Sequence, residues 1–550
     1  MQKPLEVLRR YAAHNYTLHA AFSSRAARDP QREFIFFNGT SWSWQVFGTA
    51  VERTARLFLS RGIRKGDRVA VMARNCDGHP LALFALARIG AIMVPVNPEF
   101  GVTEAKYVFH HAEVSAVLAA SDTLTVARQA AGGLATPPWF ALFDNAQDGV
   151  PLLSELAASA PNVALPADIT ADDTVLIVYT SGTTGFPKGA MHSQRSFVTG
   201  GEAFVQRVYL QDDDRVMVVL PMFHINANFY SLAGTLAAGA TLIIVPKFSA
   251  STFWHTAADT RATEVNIIEA MGTILQNRPR SEYRADHRIR AVYGVRGSYA
   301  DTFRNEFGIP VLIGGYGMTE IPGAFSIPFG SPYKLACMGK LGRHPDHSRP
   351  WTEARIVDDA GHDVPAGEIG ELLVRIPTLM QGYWRDAEQT EAAFRDGWFV
   401  TGDLVRCDAE GYYYHVGRKK DIIRRRGENI SAAEVERVLC EHPAVAQAAA
   451  LPVADDIGEE EIMAVCVSRP GMPLTASNLH NWCAARLAAF KVPRYVVFVE
   501  RLPHTPTHKV AKHALKQDTA ALRKRAVDLQ STQTATLSPT PLPLAGEGGR

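Results

Sequence analysis

The 550-residue sequence contains few cysteines, and those it has are scattered. None of them forms a C-x-x-C pair, the spacing typical of zinc ribbons and dithiol redox sites. The sequence therefore excludes both kinds of site. It predicts reduced and mostly buried thiols, as in a cytoplasmic protein, at Cys76, Cys337, Cys407, Cys440, Cys466 and Cys483.

The sequence also lacks an excess of charge, with 57 Lys and Arg residues against 56 Asp and Glu residues. The net charge of +1 gives no general attraction to nucleic acid or to anionic lipid. No run approaches the roughly 20 apolar residues that cross a bilayer, and the first residues lack the apolar core of a signal peptide. We therefore expect a cytoplasmic protein with no nucleic-acid partner and no integral membrane association.

Hydrophobic residues make up 47% of the sequence, and short β-branched runs alternate with helical patterns over the N-terminal part. This alternation is typical of α/β proteins with right-handed βαβ units on largely parallel sheets. It predicts a buried helix over residues 80–89 and a smaller β-rich part that includes residues 368–374 and 411–415. Strands are predicted over residues 68–73, 92–96, 174–179, 215–220, 241–245 and 310–313.

The pattern changes after Arg418. Ser431, with Glu434 three residues later, predicts a capping box at the start of a helix. A further helix over residues 474–489 and three strands complete a second, α+β domain; the strands cover residues 446–451, 462–467 and 495–499. From residue 527 the chain is rich in Ser, Thr, Pro and Gly, which predicts a disordered tail. The predicted domains are residues 1–418, 419–526 and 527–550.

The strongest local signal is the stretch YTSGTTGFPKGA over residues 179–190. Its glycines allow the backbone N–H groups to approach an anion closely, and Lys188 adds positive charge. A predicted strand ends just before it, where open α/β sheets bind ligands. Pro187 stands where the Walker motif requires glycine, which disfavours that class of NTPase. The stretch predicts a phosphate site formed by Thr180, Ser181, Gly182, Thr183, Thr184, Gly185 and Lys188.

This loop, SGTTGFPKG, resembles the signature of the adenylate-forming superfamily of acyl-CoA synthetases, nonribosomal peptide adenylation domains and luciferases. The resemblance implies a large N-terminal domain with two βαβ-type sheets and a small β-rich subdomain. A small, mobile α+β C-terminal domain would follow. The resemblance also implies that Thr184 and Lys188 take part in catalysis.

A second motif, Gly-Tyr-Gly-Met-Thr-Glu over residues 315–320, follows a predicted strand. An aromatic ring can stack on a purine, and a carboxylate beside a hydroxyl suits Mg²⁺ held against phosphate. Alone, the hexamer is equally typical of a turn. The resemblance implies that Tyr316 stacks on adenine, Thr319 contacts the α-phosphate and Glu320 holds the metal. The neighbouring residues assigned to the nucleotide site are Gly315, Gly317 and Met318.

Two further nucleotide-site residues and one catalytic residue rest on the resemblance. Thr-Gly-Asp over residues 401–403 is by itself more typical of a turn, but its context matches the superfamily and implies that Asp403 binds the ribose. Arg418 would bond the ribose or a phosphate. Lys509 lies in the segment that matches the family's closing motif, although His508 replaces the usual glycine there, and the match implies a catalytic lysine.

The remaining assignments concern the other substrates. His224 beside aromatic residues is by itself more typical of a packed core, but the resemblance places it at the acyl pocket, with the amides of Asn226 and Asn228. The resemblance also implies that Lys420 is a hinge between two poses of the small domain. No residue of the segment 293–299 is given a role. The path of coenzyme A is assigned to Gly427, Glu428 and Asn429.

These residues predict nucleotidyl transfer from ATP to a carboxylate, with Mg²⁺ as cofactor and pyrophosphate as leaving group. A thiol then attacks the mixed anhydride, and free coenzyme A is the simplest acceptor. The stretches over residues 221–254 and 293–299 resemble those of crotonobetaine/carnitine-CoA ligases and related bacterial acyl-CoA ligases. The sequence leaves open a short polar, carnitine-like, aryl or fatty acid substrate. Two alternatives also stay open: an enzyme that loads a carrier-protein phosphopantetheine, and a non-catalytic nucleotide-binding homologue. A homodimer is a candidate assembly.

Overall fold

The computed structural model of the chain describes residues 1–180, 187–295, 297, 299–425, 428–454, 460–504 and 510–529. It contains two compact units. The first unit comprises Met1–Thr401 and Arg406–His415, and the second comprises Gly402–Val405 and the chain from Val416 onward. Within the part of the chain described here, no helix combines the length and apolar character needed to cross a membrane.

The helices of the first unit alternate with its strands along the chain. They are α1 (Pro4–Arg9), α2 (Leu18–Ala26), α3 (Trp44–Ser60), α4 (Gly78–Arg88), α5 (Val102–Ala112), α6 (Leu124–Ala131), α7 (Leu153–Ala158), α8 (Gln194–Val208), α9 (Ala233–Ala238), α10 (Phe253–Asp259), α11 (Glu269–Gln276), α12 (Ala300–Asn305) and α13 (Ala387–Ala392). A π-helix over Ala227–Leu232 leads directly into α9, and a 3₁₀ turn covers Arg280–Glu282. Helix α4 confirms the buried helix predicted over residues 80–89.

The strands of the first unit form three sheets. They are β1 (Glu33–Phe37), β2 (Thr40–Ser43), β3 (Arg68–Met72), β4 (Ile92–Pro95), β5 (Ala116–Ala119), β6 (Trp139–Leu142), β7 (Thr174–Thr180), β8 (Lys188–Ser193), β9 (Arg215–Val218), β10 (Thr241–Ile244), β11 (Glu264–Asn266), β12 (Ala291–Tyr293), β13 (Val311–Ile313), β14 (Gly315–Tyr316), β15 (Phe325–Ser326), β16 (Cys337–Leu341), β17 (Glu353–Val357), β18 (Gly370–Arg375), β19 (Gly382–Tyr383), β20 (Phe394–Arg395), β21 (Trp398–Cys407) and β22 (Tyr413–Arg418). The chain passes into the second unit within β21 and again within β22.

Two of the sheets are largely parallel, as the sequence predicts. One has the strand order β19-β8-β7-β4-β3-β5-β6, and the other has the order β13-β12-β11-β9-β10-β1-β2. Strands β3, β4, β7, β9, β10 and β13 confirm the six strands predicted from the sequence. The antiparallel pairings are β1 with β2, β7 with β8, and β8 with β19.

Successive residues of these strands point into different cores, because side chains alternate across a strand. Val69 and Val71 of β3 belong to the large core that also receives one face of β9 and β10. Ala70 and Met72 face a second core, which includes α5 and α6. Met217 of β9 faces a third core with α10, α11 and α12. Burial on both faces explains why these strands read as continuous hydrophobic runs in the sequence.

The third sheet is the predicted β-rich part, with the order β14-β15-β16-β22-β21-β18-β17 and with β20 beside β21. Its described pairings are antiparallel, for example β17 with β18 and β14 with β15. Strand β18 includes most of the strand predicted at residues 368–374. The order places β14, the first two residues of the Gly-Tyr-Gly motif, at the edge of this sheet.

The second unit is an α+β fold. Its further elements are β23 (Ile422–Arg425), β24 (Glu428–Ser431), α14 (Ala432–Cys440), β25 (Val445–Ala454), β26 (Glu460–Ser468), α15 (Ala476–Ala484), β27 (Tyr495–Phe498), α16 (Lys512–Gln517), α17 (Thr519–Arg525) and β28 (Val527–Asp528), with 3₁₀ turns over Lys419–Asp421 and Ala489–Lys491. The sheet β25-β26-β27-β28 has one face against α14 and α15. Its other face packs on Leu515 and Leu522 of α16 and α17.

Two details differ from the prediction in this unit. Ser431 caps α14 by accepting a hydrogen bond from the Glu434 backbone N–H at 3.3 Å, but the Glu434 carboxylate binds Lys491 Nζ at 2.8 Å. The side-chain half of the predicted capping box is therefore replaced by an ion pair. The predicted tail also begins too early, because Val527–Asp528 pair with β27 and Leu529 is buried.

Glu264 in β11 is an unusual core residue, since its side chain has no exposed surface. In the described part of the chain, neither carboxylate oxygen has a hydrogen-bond partner. Burial raises the pKa of Glu264 well above its ordinary value, and Asp214 adds to the effect while Arg290 opposes it. The Arg290 guanidinium is itself occupied by Asp214, with an Nε–Oδ1 distance of 2.9 Å.

A raised pKa in the folded state makes the protonated carboxyl favourable below the unfolded-state pKa. That contribution to stability is lost as pH rises toward the folded-state pKa. Glu264→Gln should therefore be more stable than the parent by about 1–3 kcal/mol at pH 8, with a smaller difference at pH 5. Thermal unfolding between pH 5 and pH 8 checks this, with exposed Glu306→Gln as control. A difference independent of pH would contradict it.

Candidate active site

The phosphate motif lies at the end of a strand hairpin. Thr180, the last residue of β7, pairs with Lys188, the first residue of β8. The Lys188 Nζ donates a hydrogen bond to Gln389 Oε1 and lies 5.0 Å from the centroid of the Tyr383 ring. The predicted loop residues that fall outside the described chain are Ser181, Gly182, Thr183, Thr184 and Gly185.

A cavity of about 180 Å³ opens beside Lys188. Its walls come from α5, the start of β8 and the chain that follows β19. It is lined by Tyr107, His111, Pro187, Lys188, Trp384, Asp386 and Gln389. The lining is mainly polar and includes the ammonium of Lys188. The described chain therefore has a concave surface where the sequence predicts phosphate binding.

The Gly-Tyr-Gly motif is held in place by close packing of backbone and aromatic rings. A Cβ added at Gly315 would lie 2.3 Å from Tyr293 Oη, so only glycine fits there. Tyr316 is buried, and its ring meets Phe325 edge to face with 5.8 Å between centroids. An aromatic ring follows the glycine as predicted, and its stacking on adenine stays a prediction.

Glu320, the predicted metal ligand, is also buried. Its Oε1 accepts a hydrogen bond from Tyr383 Oη at 2.8 Å, and its backbone oxygen accepts one from the Met380 N–H at 2.8 Å. Within the described residues, Oε2 has no hydrogen-bond partner. A single carboxylate suits Mg²⁺, which keeps several waters and binds substrate phosphates rather than an all-protein cage. In the described chain, no three side chains form a metal cluster.

Tyr383 connects two predicted catalytic residues that are far apart in the sequence. Its hydroxyl binds Glu320, and its ring faces the Lys188 ammonium. The tyrosine is positioned by strand β19, in which it pairs with Ala190 of β8. The site thus places an ammonium and a carboxylate around one aromatic ring. Sequence reasoning did not identify Tyr383, because its role depends on a pairing between distant strands.

His192 is a second residue that sequence reasoning missed. It lies on β8 and is fully buried, and its Nε2 donates to the Thr319 carbonyl oxygen at 2.8 Å. Burial lowers the pKa of His192 to about 4, although the bond to Thr319 opposes this shift. A neutral imidazole at physiological pH therefore ties the Gly315–Glu320 motif to the same strand that begins with Lys188.

Of the predicted acyl-site residues, His224 and Asn226 lie between β9 and the π-helix, and Asn228 lies on the π-helix. Asn226 Oδ1 accepts a hydrogen bond from Asn266 Nδ2 at 3.1 Å, and Asn266 also donates to Ser231 Oγ at 2.9 Å. His224 is half-buried, and its ring lies 4.2 Å from that of Phe223. The place of Asn228 at the acyl pocket stays a prediction. Asn228 is buried, and its Nδ2 donates to the Met222 and His224 carbonyl oxygens. It holds the turn and does not offer this donor to a ligand.

The other predicted residues lie in the second unit, where Asp403 and Arg418 form an ion pair. Asp403 Oδ1 is 2.6 Å from Arg418 Nε, and only 1% of the Asp403 side chain is exposed. Asp403 was predicted to bind the ribose and Arg418 the ribose or a phosphate, and the structure brings these two residues together. A ribose ligand would have to approach a carboxylate already paired with a guanidinium.

The predicted hinge and coenzyme A residues also belong to the second unit. Lys420 lies in the 3₁₀ turn Lys419–Asp421, and its carbonyl oxygen accepts a hydrogen bond from Lys516 Nζ at 3.3 Å. Desolvation lowers the pKa of Lys420, with smaller effects from its charged neighbours. Glu428 and Asn429 lie on β24, which pairs with β23. Gly427 and Lys509 lie outside the described residues.

Each of the two units contains a segment that matches a known protein family. The AMP-binding enzyme family matches residues 22–384, and the AMP-binding enzyme C-terminal domain matches residues 434–509. The crotonobetaine/carnitine–CoA ligase of Salmonella paratyphi A is 33% identical over 497 residues, which cover 86% of this chain and 93% of that protein.

Solved structures of other proteins are also similar to this chain. ATP-bound MatB from Rhodopseudomonas palustris matches with a TM-score of 0.80 and 27% identity, over 92% of this chain and 99% of that chain. The o-succinylbenzoate CoA synthetase MenE from Bacillus subtilis, in complex with the acyl-adenylate intermediate OSB-AMP, matches with a TM-score of 0.79 and 27% identity. That match covers 90% of this chain and 97% of that chain.

Proposed function

The chain belongs to the AMP-binding enzyme family, and from this we infer that it is an ATP-dependent acyl-CoA ligase. It activates a carboxylic acid as an acyl-adenylate with release of pyrophosphate and transfers the acyl group to coenzyme A. The observation that carries this conclusion is the position of Lys188 and Glu320 around Tyr383. An ammonium and a metal-binding carboxylate are the charges that phosphoryl chemistry requires.

We propose that each of these groups has a separate task in adenylation. Lys188 would offset negative charge on the phosphates of ATP, and Glu320 would hold Mg²⁺ through the oxygen that Tyr383 leaves free. When bound, Mg²⁺ would offset phosphate charge and orient the triphosphate. Tyr383 keeps the Glu320 carboxylate in one orientation, and His192 fixes the backbone at Thr319. No side-chain nucleophile is needed, since the substrate carboxylate attacks the α-phosphorus.

Lys509 is proposed to act in adenylation and to leave the site before the thiol reacts. Coenzyme A would then approach along the segment Gly427, Glu428 and Asn429, with Asp403 and Arg418 near the nucleotide. We place the enzyme in the cytoplasm because both ATP and coenzyme A are supplied there. A homodimer stays a prediction.

Lys420→Pro should separate the two half-reactions. Proline fixes φ near −65° and restricts Lys419 before it, so a hinge at this position could reach fewer poses. Adenylate formation should persist, while thioester formation should fall on the order of tenfold or more. Lys420→Ala, which keeps backbone freedom, is the matched control. Equal loss of both steps at unchanged thermal stability would contradict a hinge here.

The proposed function is tested by a panel of carboxylic acids assayed for AMP and pyrophosphate release, with and without coenzyme A. At least one acid should release pyrophosphate, and coenzyme A should convert the product to a thioester. Transfer only to a phosphopantetheinylated carrier protein would support the carrier-loading alternative. No pyrophosphate release with any acid would support a non-catalytic homologue.

A further inference from the structure

The ammonium group of Lys188 is held by an uncharged side chain. Its Nζ donates a hydrogen bond to Gln389 Oε1, and Lys188, Gln389 and Asp386 all line the cavity described above. Asp386 lies three residues before Gln389, but its Oδ1 accepts a hydrogen bond from the Gln389 backbone N–H at 3.0 Å. The acceptor that meets the ammonium is therefore an amide oxygen, while the neighbouring carboxylate caps α13.

Gln389 is fixed in the first turn of α13, which folds back on β19. Thr390, the next residue, is bonded to both elements. Its Oγ1 accepts a hydrogen bond from the Tyr383 backbone N–H at 2.9 Å and donates one to the Asp386 carbonyl oxygen at 2.7 Å. The same turn of α13 thus holds the backbone of Tyr383 and the side chain of Lys188.

The chain between β19 and α13 makes a left-handed turn at Arg385, where φ is 53°. Residues other than glycine rarely adopt this conformation, and such strain is concentrated at functional sites. The Arg385 guanidinium forms an ion pair with Glu113, the residue that follows α5, and α5 also lines the cavity. The fold therefore keeps a strained turn in the segment that brings Gln389 to Lys188.

A neutral acceptor suits a lysine that must later bind phosphate. A carboxylate beside the ammonium would cancel its charge, and the phosphates of ATP would have to displace that ion pair. An amide oxygen carries no net charge, so it can orient the ammonium without this competition. An ammonium has three N–H donors, and the bond to Gln389 uses one of them. Lys188 can therefore keep this hydrogen bond while it contacts a phosphate oxygen.

We propose that Gln389 is a positioning residue for adenylation, and that it acts through Lys188. The proposal rests on the proposed function, in which Lys188 offsets negative charge on the phosphates of ATP. The lysine side chain is long and flexible, so its ammonium loses rotamer freedom whenever it binds a phosphate. The hydrogen bond to Gln389 orders that side chain before ATP arrives, and preorganised charge is what stabilises a phosphoryl-transfer transition state.

The test is a double-mutant cycle of Lys188→Ala and Gln389→Met, measured as kcat/KM for ATP in pyrophosphate release. Gln389→Met removes the acceptor but keeps the length of the side chain. Alone, it should lower kcat/KM about tenfold, the scale of one hydrogen bond to a charged group, and leave the KM for the acid unchanged. In the Lys188→Ala background it should have almost no further effect. Additive effects of the two substitutions, or an unchanged kcat/KM in Gln389→Met, would overturn the proposal.

Gln389→Glu separates an effect on the charge of Lys188 from simple packing of α13. It keeps the size and the acceptor but places a carboxylate against the ammonium, so the KM for ATP should rise on the order of tenfold. Gln381→Met is the matched control, because the Gln381 side chain bonds Thr174 Oγ1 at 2.8 Å and the Asp172 carbonyl oxygen at 2.9 Å, away from the phosphate motif. It should keep wild-type rates. A wild-type KM for ATP in Gln389→Glu, or an equal loss in Gln381→Met, would also overturn the proposal.

A binding measurement keeps the test decisive if Lys188→Ala has too little activity to assay. The dissociation constant of the magnesium complex of α,β-methylene-ATP should rise in Gln389→Met when Lys188 is present, and should not rise further in Lys188→Ala. No rise in the presence of Lys188, or a rise of equal size in both backgrounds, would overturn the proposal. The absence of pyrophosphate release by the wild-type protein with every acid would contradict the proposed function, whereas turnover that does not depend on Gln389 would contradict this inference alone.

Discussion

Lys509→Ala should lower ATP-dependent pyrophosphate release by about 10²–10³-fold, the scale of losing one preorganised donor to the transition state. The expectation follows from the position of Lys509 in the closing segment of the small unit, where it would neutralise charge between the carboxylate and the α-phosphate. Conversion of synthetic acyl-adenylate to the CoA thioester should continue at nearly the normal rate. The second step would use the other proposed pose of the small domain, in which this lysine would be remote.

Both steps are therefore measured on the same preparation: pyrophosphate release, then thioester formation from synthetic acyl-adenylate. Lys524→Ala, which removes an exposed lysine of the same unit, should leave both rates unchanged. An unaffected first step would show that Lys509 is a surface lysine. Loss of the second step with retention of the first would overturn the assignment of Lys509 to adenylation.

Glu320→Gln should lower pyrophosphate release by a similar factor, about 10²–10³-fold, without loss of the fold. The amide has almost the same shape and can still accept a hydrogen bond from Tyr383 Oη, but it lacks the negative charge that Mg²⁺ requires. The apparent requirement for magnesium should rise as well. The measurement is a magnesium titration of pyrophosphate release at saturating ATP.

Tyr383→Phe is the matched variant for this experiment. It keeps the Glu320 carboxylate and the ring beside Lys188 but removes the hydrogen bond to Oε1. We expect a loss of about tenfold, the scale of one hydrogen bond to a charged group. Wild-type rates for Glu320→Gln at saturating magnesium would remove Glu320 from the metal site. A larger loss in Tyr383→Phe than in Glu320→Gln would show that the tyrosine, and not the carboxylate, is the important group.

The sequence predicted the parts of the fold that depend on local pattern. Strands β3, β4 and β7 read as apolar runs because both of their faces are buried, and they end within one or two residues of the predicted positions. The hairpin between β7 and β8 was not predicted, since periodicity locates a strand but not its partner. The predicted capping box was incomplete for a similar reason. The Glu434 carboxylate pairs with Lys491, a residue 57 positions away in the sequence.

In the candidate site, too, local motifs could be predicted from the sequence and contacts between distant residues could not. Lys188, Glu320, Asp403 and Arg418 were predicted because they stand in short motifs, and their roles stay predictions. Contacts made across strands were not visible in the sequence: Tyr383 reaches Glu320 over 63 positions, and His192 reaches Thr319 over 127 positions.

In the proposed reaction, the acid carboxylate bonds directly to the α-phosphorus of ATP. The most direct test uses the full-length protein, Mg-ATP, coenzyme A and an accepted acid labelled with ¹⁸O in both carboxylate oxygens, followed by mass spectrometry of the nucleotide product. Direct attack of the carboxylate predicts AMP that carries one ¹⁸O atom for each thioester formed, with unlabelled pyrophosphate. Unlabelled AMP, or ADP together with labelled inorganic phosphate, would contradict it.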